Sequence, residues 1–415
     1  MKKRKFANYA MTEDNPLWEF MIRREKELYS RPDDIRTPFA RDYTRILHSM
    51  AYRRLKHKTQ VFFNIDNDHI CTRMEHVAHV ESVSSTIAKK LGLNEELTKA
   101  ISIGHDLGHA PFGHQGETVI KNLCQKYIGQ NFWHEKNGLR FVDEVDLLED
   151  NYRVFKNLDL TYAVRDGIIS HCGEVDENGI FPRASNISIS DFDEPGKYQA
   201  ATWEGCVVKI ADKIAYVGRD IEDAFSLGFL DQNAQNTLLR MAQLNAESAL
   251  NTTVIMHNMI IDICDNSSPD KGICLSLKNN KLLDDIKSFN YENIYRHERL
   301  EPFKHYSELV INQIFNSLFS LYEEKYTWNK LDENRRFTPQ LINSFEKWLA
   351  RYCNVNIVPM GELRDLALKC ENQKIYQNLD TKEIYAQAII DYISGMTDHF
   401  AIALFNEQLQ YWDTQ

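Results

Sequence analysis

Between Gly104 and Glu117 the chain reads GHDLGHAPFGHQGE, three histidines and two carboxylates within fourteen consecutive positions. His105 and Asp106 are adjacent, His109 follows one helical turn later, and His114 and Glu117 come just past a break at Pro111 and Gly113. Imidazoles and carboxylates together are what hydrolytic metal chemistry uses: ligands for a divalent ion, with free acid and base groups beside it. Neighbouring residues differ by about 100° around a helix, so His105 and Asp106 reach one ion only at a helix end or bend. Gly104 and Gly108 permit such a bend. The ion needs further ligands. His76, beside Glu75, is one candidate, and Asp212 is another, in the apolar context KIADKIAY where an uncompensated carboxylate is costly to bury. Two His and two Asp would leave positions open for water and a phosphate oxygen. Each residue also has a plainer reading. His76 and His79 could be hydrogen-bonded core or surface histidines, and Asp212 could be an ion-paired helix residue beside Lys209 or Lys213.

The elements that must position these groups read as helices. Val77, Val80, Ile87 and Leu91 mark one helix through MEHVAHVESVSSTIAKKLGL, with Gly92 as its stop. Asn94 is a good N-cap for the next, NEELTKAISIGHDLGH, with Glu95 and Glu96 against its positive end. That helix is expected to end near Gly108 and Pro111, and a further one to begin around Glu117. NGIFPRASNISISDFDEPG (178–196) reads as a loop, or a small hairpin at most, and WEGCVVKIADKIAYVGRDIEDAF as another helix. The spacing predicts a mainly α protein: an N-terminal segment (1–40), a metal-bearing helical core (41–230), and C-terminal helices (231–415) packed on that core.

The chain has 415 residues, 43% of them hydrophobic, and a net charge of −11, which argues against binding nucleic acid over the whole surface. Arg41, Arg45, Arg53, Arg54, Lys56 and Lys58 nevertheless cluster against Asp42 alone. Such a patch suits a small polyanion, or else it is a solvated helix face. Eight scattered cysteines without a CxxC pair point to reduced thiols, no apolar run approaches membrane-spanning length, and the N-terminus lacks an apolar signal core. These features predict a cytoplasmic protein.

The order His76, His105-Asp106, Asp212 follows the H…HD…D pattern of the HD-domain metal-dependent phosphohydrolases. RTPFARDYTRILHSMAYRRLKHKTQVF (36–62), TRMEH (72–76), GHDLGHAPFGHQGE (104–117) and ADKIAYVGRDIEDA (211–224) resemble the deoxyguanosinetriphosphate triphosphohydrolase (dGTPase) family more closely, and IYRHERL (294–300) is a weaker fifth block. The resemblance implies an HD-domain helical fold and hydrolysis of dGTP or other dNTPs to a deoxynucleoside and inorganic triphosphate. It implies His76, His105, Asp106 and Asp212 as ligands of a divalent ion: Mn²⁺ or Mg²⁺ foremost, with Fe²⁺, Co²⁺ and Ni²⁺ also compatible. His114 and Glu117 would be the catalytic pair, His109 a donor to the phosphates, and Arg73 and Lys213 phosphate contacts. Tyr216 would pack on the sugar, Asp220 would accept from its 3′-hydroxyl, and Gln60 would also contact the sugar. Glu117 also has a plainer reading as an N-terminal helix charge, and without the resemblance Tyr216 is equally a core aromatic. It further implies a homo-oligomer, hexamer or tetramer, with room for a dNTP or single-stranded DNA effector and with no membrane partner. His79 stands where the family usually has a glutamate, and HERL replaces the more usual HPR-type sequence, leaving Arg296 and Arg299 without a role. The rival readings are an HD-domain hydrolase of a monophosphate, cyclic nucleotide or alarmone, and a nucleotide or single-strand sensor whose metal only stabilises it.

Overall fold

The computed structural model describes residues 4–26, 34–63, 69–172, 178–185, 187–242 and 252–410. Helices dominate; among the described residues the strands are Leu147–Glu149 and Phe155–Asn157, one antiparallel pair. This hairpin lies earlier than the 178–196 stretch where alternation suggests one. Its turn is set by Asp150, whose Oδ1 accepts from the amides of Tyr152 and Val154, with Arg153 at φ 62°. Within 178–196 the described residues instead hold a single bridge, Ile180 to Ile273, and a short 3-10 turn at Ile189–Asp191.

Two hydrophobic clusters build the core. One combines Ile101, Val142 and Ile168 with Ile311, Phe315, Leu349 and Ile389, and so draws on both sides of residue 230. The other gathers Ile87, Val207, Ile221, Ile263 and Ile286. Helices Arg73–Leu91 and Trp203–Ser226 contribute to both: Val77, Val80, Val208 and Ala211 face the first, Ile87, Leu91, Val207 and Ile214 the second. Glycine ends the first of these helices as its position suggests, with Gly92 left-handed at φ 92°.

The basic stretch is neither a solvated face nor a displayed polyanion site. Arg45 is buried and donates to the carbonyls of Leu158 and Asp159, Arg41 pairs with Asp34 at 2.8 Å, and Arg54 lies over the Phe141 ring at 5.2 Å. Lys58, also buried, donates to the carbonyls of His109 and Ser394. These cations cross-link the fold, leaving Arg53 and Lys56 as the exposed members. No helix among the described residues is long and apolar enough to cross a membrane.

The N-terminal segment is tied in by Glu204, fully buried, whose Oε1 accepts from the amides of Met11 and Asn94, both at 2.9 Å. Glu204→Ala would leave two buried donors without acceptors. It is expected to lower the unfolding free energy by about 2–4 kcal/mol, measured by urea denaturation. A change under about 0.5 kcal/mol would show that the tie is dispensable.

Candidate functional site

Helix Arg73–Leu91 begins in a capping box: Thr72 Oγ1 accepts from the Glu75 amide, and Glu75 Oε2 from the Thr72 amide at 2.7 Å. Glu75 is therefore spent at the helix start, and His76, one position on, points inward with 5% exposure. Helix Glu95–Gly104 ends a full turn earlier than expected, at Gly104, where His105 caps it. Residues 105–109 then bend in two tight turns, Leu107 donating to Gly104 and His109 to Asp106. The following helix, Gly113–Tyr127, starts before Glu117, so His114 and Glu117 sit within its first turn and a half. Its N-cap, Phe112, is left-handed at φ 65°.

This bend brings His105 and Asp106 towards His76 and Asp212. His76 Nε2 lies 3.0 Å from Asp212 Oδ1, and His105 Nε2 lies 3.7 Å from both Asp212 Oδ1 and Asp106 Oδ1. Ligand atoms sharing an ion at about 2.1 Å sit roughly 3.0–3.4 Å apart; the His76–Asp212 pair already has this spacing and the 3.7 Å His105–Asp212 distance is only slightly wider, so the three atoms, all within 4.8 Å of one another, could close on a divalent cation. His105 Nδ1 meets the Ser102 carbonyl at 2.6 Å, which fixes its hydrogen there and leaves the buried Nε2 lone pair without a protein partner. Burial lowers the His105 pKa to about 4, so the ring is neutral, as a ligand must be. Burial raises the Asp212 carboxyl, but the hydrogen bond from His76 together with the nearby rings of His105, His76 and His171 outweighs it and holds the pKa well below the usual carboxylate range.

Asp106 faces more than one way. Its Oδ2 takes Arg73 Nη1 at 2.8 Å and its Oδ1 takes His109 Nε2 at 2.8 Å, while His134 and His171 offer ring nitrogens within 4.8 Å. Burial works against its charge, yet His109 and Arg73 hold its pKa well below normal. With Nε2–H given to Asp106, His109 carries a neutral ring whose buried Nδ1 is an acceptor without a partner. His109 thus anchors Asp106 and offers no donor towards phosphate in this state.

Glu117 lies between two histidines. His134 Nδ1 is 3.3 Å from its carboxylate and the exposed His114 Nδ1 is 3.8 Å away. His134 was not singled out by the sequence patterns, although His134-Glu135 is an adjacent base–acid pair like His105-Asp106. Its ring stacks on His109 at 3.9 Å between centroids. Burial pulls its pKa down, but Glu135 and Glu117 outweigh this and raise it to about 10, so it is an imidazolium at neutral pH. His171 is the second residue missed. It closes the apolar helix Tyr162–Ser170, and its ring lies 5.0 Å from that of His105. The signal was a lone histidine ending an apolar run, too common to single out.

Helix Trp203–Ser226 runs unbroken, so Asp212, Tyr216 and Asp220 share one face. Lys213 and Tyr216 are half-buried on it. Asp220 Oδ2 accepts from the Tyr295 hydroxyl at 2.5 Å, which gives the 294–300 block a place. In that block Arg299 donates to the carbonyls of Leu227 and Gly228 and covers the Phe229 ring, while Arg296 covers Tyr291. Arg73 keeps Nε and Nη2 buried without acceptors, and Gln60 keeps Oε1 buried without a donor. Both line the space at Gly113, where a Cβ would lie 3.4 Å from the Gln60 carbonyl and 3.6 Å from Arg73 Nη2. His79 is half-buried, its pKa lowered by burial and by Arg219 and His76 nearby.

Residues 73–217 match the HD domain family and residues 362–407 the phosphohydrolase-associated domain. A deoxyguanosinetriphosphate triphosphohydrolase-like protein of Desulfatibacillum aliphaticivorans is 36% identical over 296 residues, 70% of this chain and 75% of that protein. Similarly named proteins of Clostridium tetani and Rickettsia felis are 30% and 28% identical, over 90% and 91% of this chain and 86% and 92% of theirs.

Asp220 yields a pH test. Burial raises its carboxyl to about 6, partly offset by Tyr295. A carboxyl raised above its unfolded value stabilises the fold most below pH ~4, and that contribution is lost as pH rises through about 6. Asp220→Asn keeps the Tyr295 contact without the charge. Its stability advantage over the parent should grow between pH 4 and 7 to roughly 2–3 kcal/mol. Parallel stability curves for the two proteins would refute the buried-charge assignment. Gly108→Ala is expected to abolish folding or metal uptake, because a Cβ there would lie 2.0 Å from the His134 carbonyl and 2.1 Å from the Gly138 amide nitrogen. A folded, metal-replete Gly108→Ala protein would sink that expectation.

Proposed function

Because this chain belongs to the deoxyguanosinetriphosphate triphosphohydrolase-like family of HD-domain proteins, we propose that it is a metal-dependent deoxynucleoside triphosphate triphosphohydrolase. It would cleave dGTP or another dNTP into a deoxynucleoside and inorganic triphosphate. The observation that carries this reading is the convergence of the His76, His105 and Asp212 ligand atoms beside Arg73, a buried guanidinium with two unfilled donors. When bound by His76, His105, Asp106 and Asp212, a divalent ion supplies Lewis-acid activation of water and of a phosphoryl oxygen. Mn²⁺ and Mg²⁺ are the leading candidates.

The chain's own residues supply the rest. Arg73 Nε and Nη2 are donors suited to phosphate oxygens, and Lys213 adds charge from the neighbouring helix. Gln60 Oε1 and the second oxygen of Asp220 are acceptors suited to sugar hydroxyls, with Tyr216 one turn from Asp212 to pack on the ring. Glu117 orients His114, which takes the proton of water or delivers one to the leaving 5′ oxygen. His134, protonated beside Glu117, holds a second proton within reach of the same carboxylate. A cytoplasmic setting suits eight cysteines that all remain free thiols, seven of them buried.

The test is hydrolysis of the four dNTPs and GTP with Mn²⁺ or Mg²⁺, followed by product analysis. Deoxynucleoside and triphosphate are expected in equal amounts; diphosphate and monophosphate would refute the reaction. Asp106→Ala should lose bound metal and reduce kcat by on the order of 10³-fold or more. Retained turnover in that variant would refute the site.

A further inference from the structure

Loop 105–113 carries the two tight turns after the HD pair and ends in consecutive left-handed residues, Phe112 at φ 65° and Gly113 at φ 58°. For a non-glycine residue that conformation costs about 1–2 kcal/mol and persists only where surrounding contacts impose it. The contact here comes from the far end of the chain. Asp398 Oδ1 accepts from the Phe112 amide at 2.8 Å, and its Oδ2 accepts from the Thr59 amide at 2.9 Å. Asp398 opens helix Asp398–Leu409, but Thr397 already caps that helix by accepting from the Phe400 amide. Both carboxylate oxygens are therefore spent on backbone elsewhere. Lys58 makes a second clasp: its ammonium group donates to the His109 carbonyl and, at 3.0 Å, to that of Ser394 at the end of helix Lys382–Ser394. Asp398 and Lys58 are both buried, and neither is among the residues whose ligand atoms gather for a metal.

We propose that the phosphohydrolase-associated segment, residues 362–407, acts as a clamp on the catalytic loop, with Asp398 as its positioning residue. The proposal rests on reading 104–117 as catalytic. By fixing Phe112, Asp398 sets where helix Gly113–Tyr127 begins, and hence where His114 and Glu117 stand relative to His105, Asp106 and His134. Lys58 holds the preceding turn at His109. The same helix supplies an internal comparison. Glu407 also spends both oxygens on backbone amides, those of Gln340 and Leu341 at 2.6 and 2.8 Å, but these start helix Pro339–Tyr352, which carries none of the site residues.

The experiment compares Asp398→Asn, Lys58→Met and Glu407→Gln in the full chain, at a temperature where each is wholly folded. An asparagine has one acceptor for two amides, so each side-chain amide variant loses a backbone contact without losing volume. Asp398→Asn and Lys58→Met are expected to lower kcat for dNTP hydrolysis about tenfold or more, with KM changed far less, and to raise deuterium uptake across 105–117. Glu407→Gln is expected to lower Tm while leaving kcat and uptake in 105–117 at parent values. Parent-like kcat or parent-like uptake in Asp398→Asn overturns the proposal, whatever its Tm, and Lys58→Met decides in the same way if Asp398→Asn does not fold. Uptake is read without substrate. A parent protein inactive on every dNTP would thus count against the proposed activity, while unchanged uptake would count against the clamp.

Discussion

Everything at the centre of this molecule follows from burying one carboxylate. Asp106 is 3% exposed, and an unpaired charge at that depth costs several kcal/mol. Its compensation arrives from two directions, Arg73 on the preceding long helix and His109 from the same loop. The α-helix itself ends at Gly104, and with His105 still at helical φ and ψ the chain passes into tight turns that carry Asp106 to both partners. Tight turns in turn require Gly108 to pass against the backbone of residues 134–138, where Asn137 Nδ2 holds the Gly108 carbonyl at 2.7 Å. Helix His134–Arg140 is therefore docked by the same constraint that bends the HD segment, and it brings His134 with it.

The distribution of cations divides along the same line. In an acidic chain, the positive charge concentrated at 41–58 looks available for a ligand, yet most of it is consumed by carbonyls, Asp34 and an aromatic face. A buried guanidinium with carbonyl partners is a structural tie. Arg73 differs because one carboxylate contact leaves two of its donor nitrogens unfilled. His134 differs because two carboxylates keep it protonated despite burial. Positive charge aimed at the site is thus supplied by few groups, each held in place by an anion.

Much of this was legible in the sequence because periodicity and caps act locally. The helices at 73–91 and 203–226, the stop at Gly92 and the cap at Asn94 are all fixed by residues within a turn of one another. The helix end at Gly104 was not legible, since His105 through Leu107 are acceptable helix formers; a long-range demand, pairing Asp106, overrides them. The start at Gly113 follows Phe112, whose amide is held by Asp398, 286 positions further along the chain. Glu75 looks in sequence like a polar neighbour of a ligand, whereas its spacing from Thr72 is that of a capping box. His134 and His171 escaped notice because proximity in space, not in sequence, gives them meaning. The bend just after Gly104 is where elementary helix geometry anticipated the fold.

The two central helices have a consequence of their own. Helix Trp203–Ser226 presents one side to one hydrophobic cluster and the opposite side to the other, helix Arg73–Leu91 gives its first turns to one cluster and its last turns to the other along a single face, and each helix carries a member of the His76–Asp212 pair. The pair therefore bridges a party wall between two cores. Melting either core strips packing from part of both helices and loosens the His76–Asp212 spacing. Were a cation held there, its occupancy and the joint cooperativity of the two cores would be thermodynamically linked: a seated ion would report that both halves of the wall are standing.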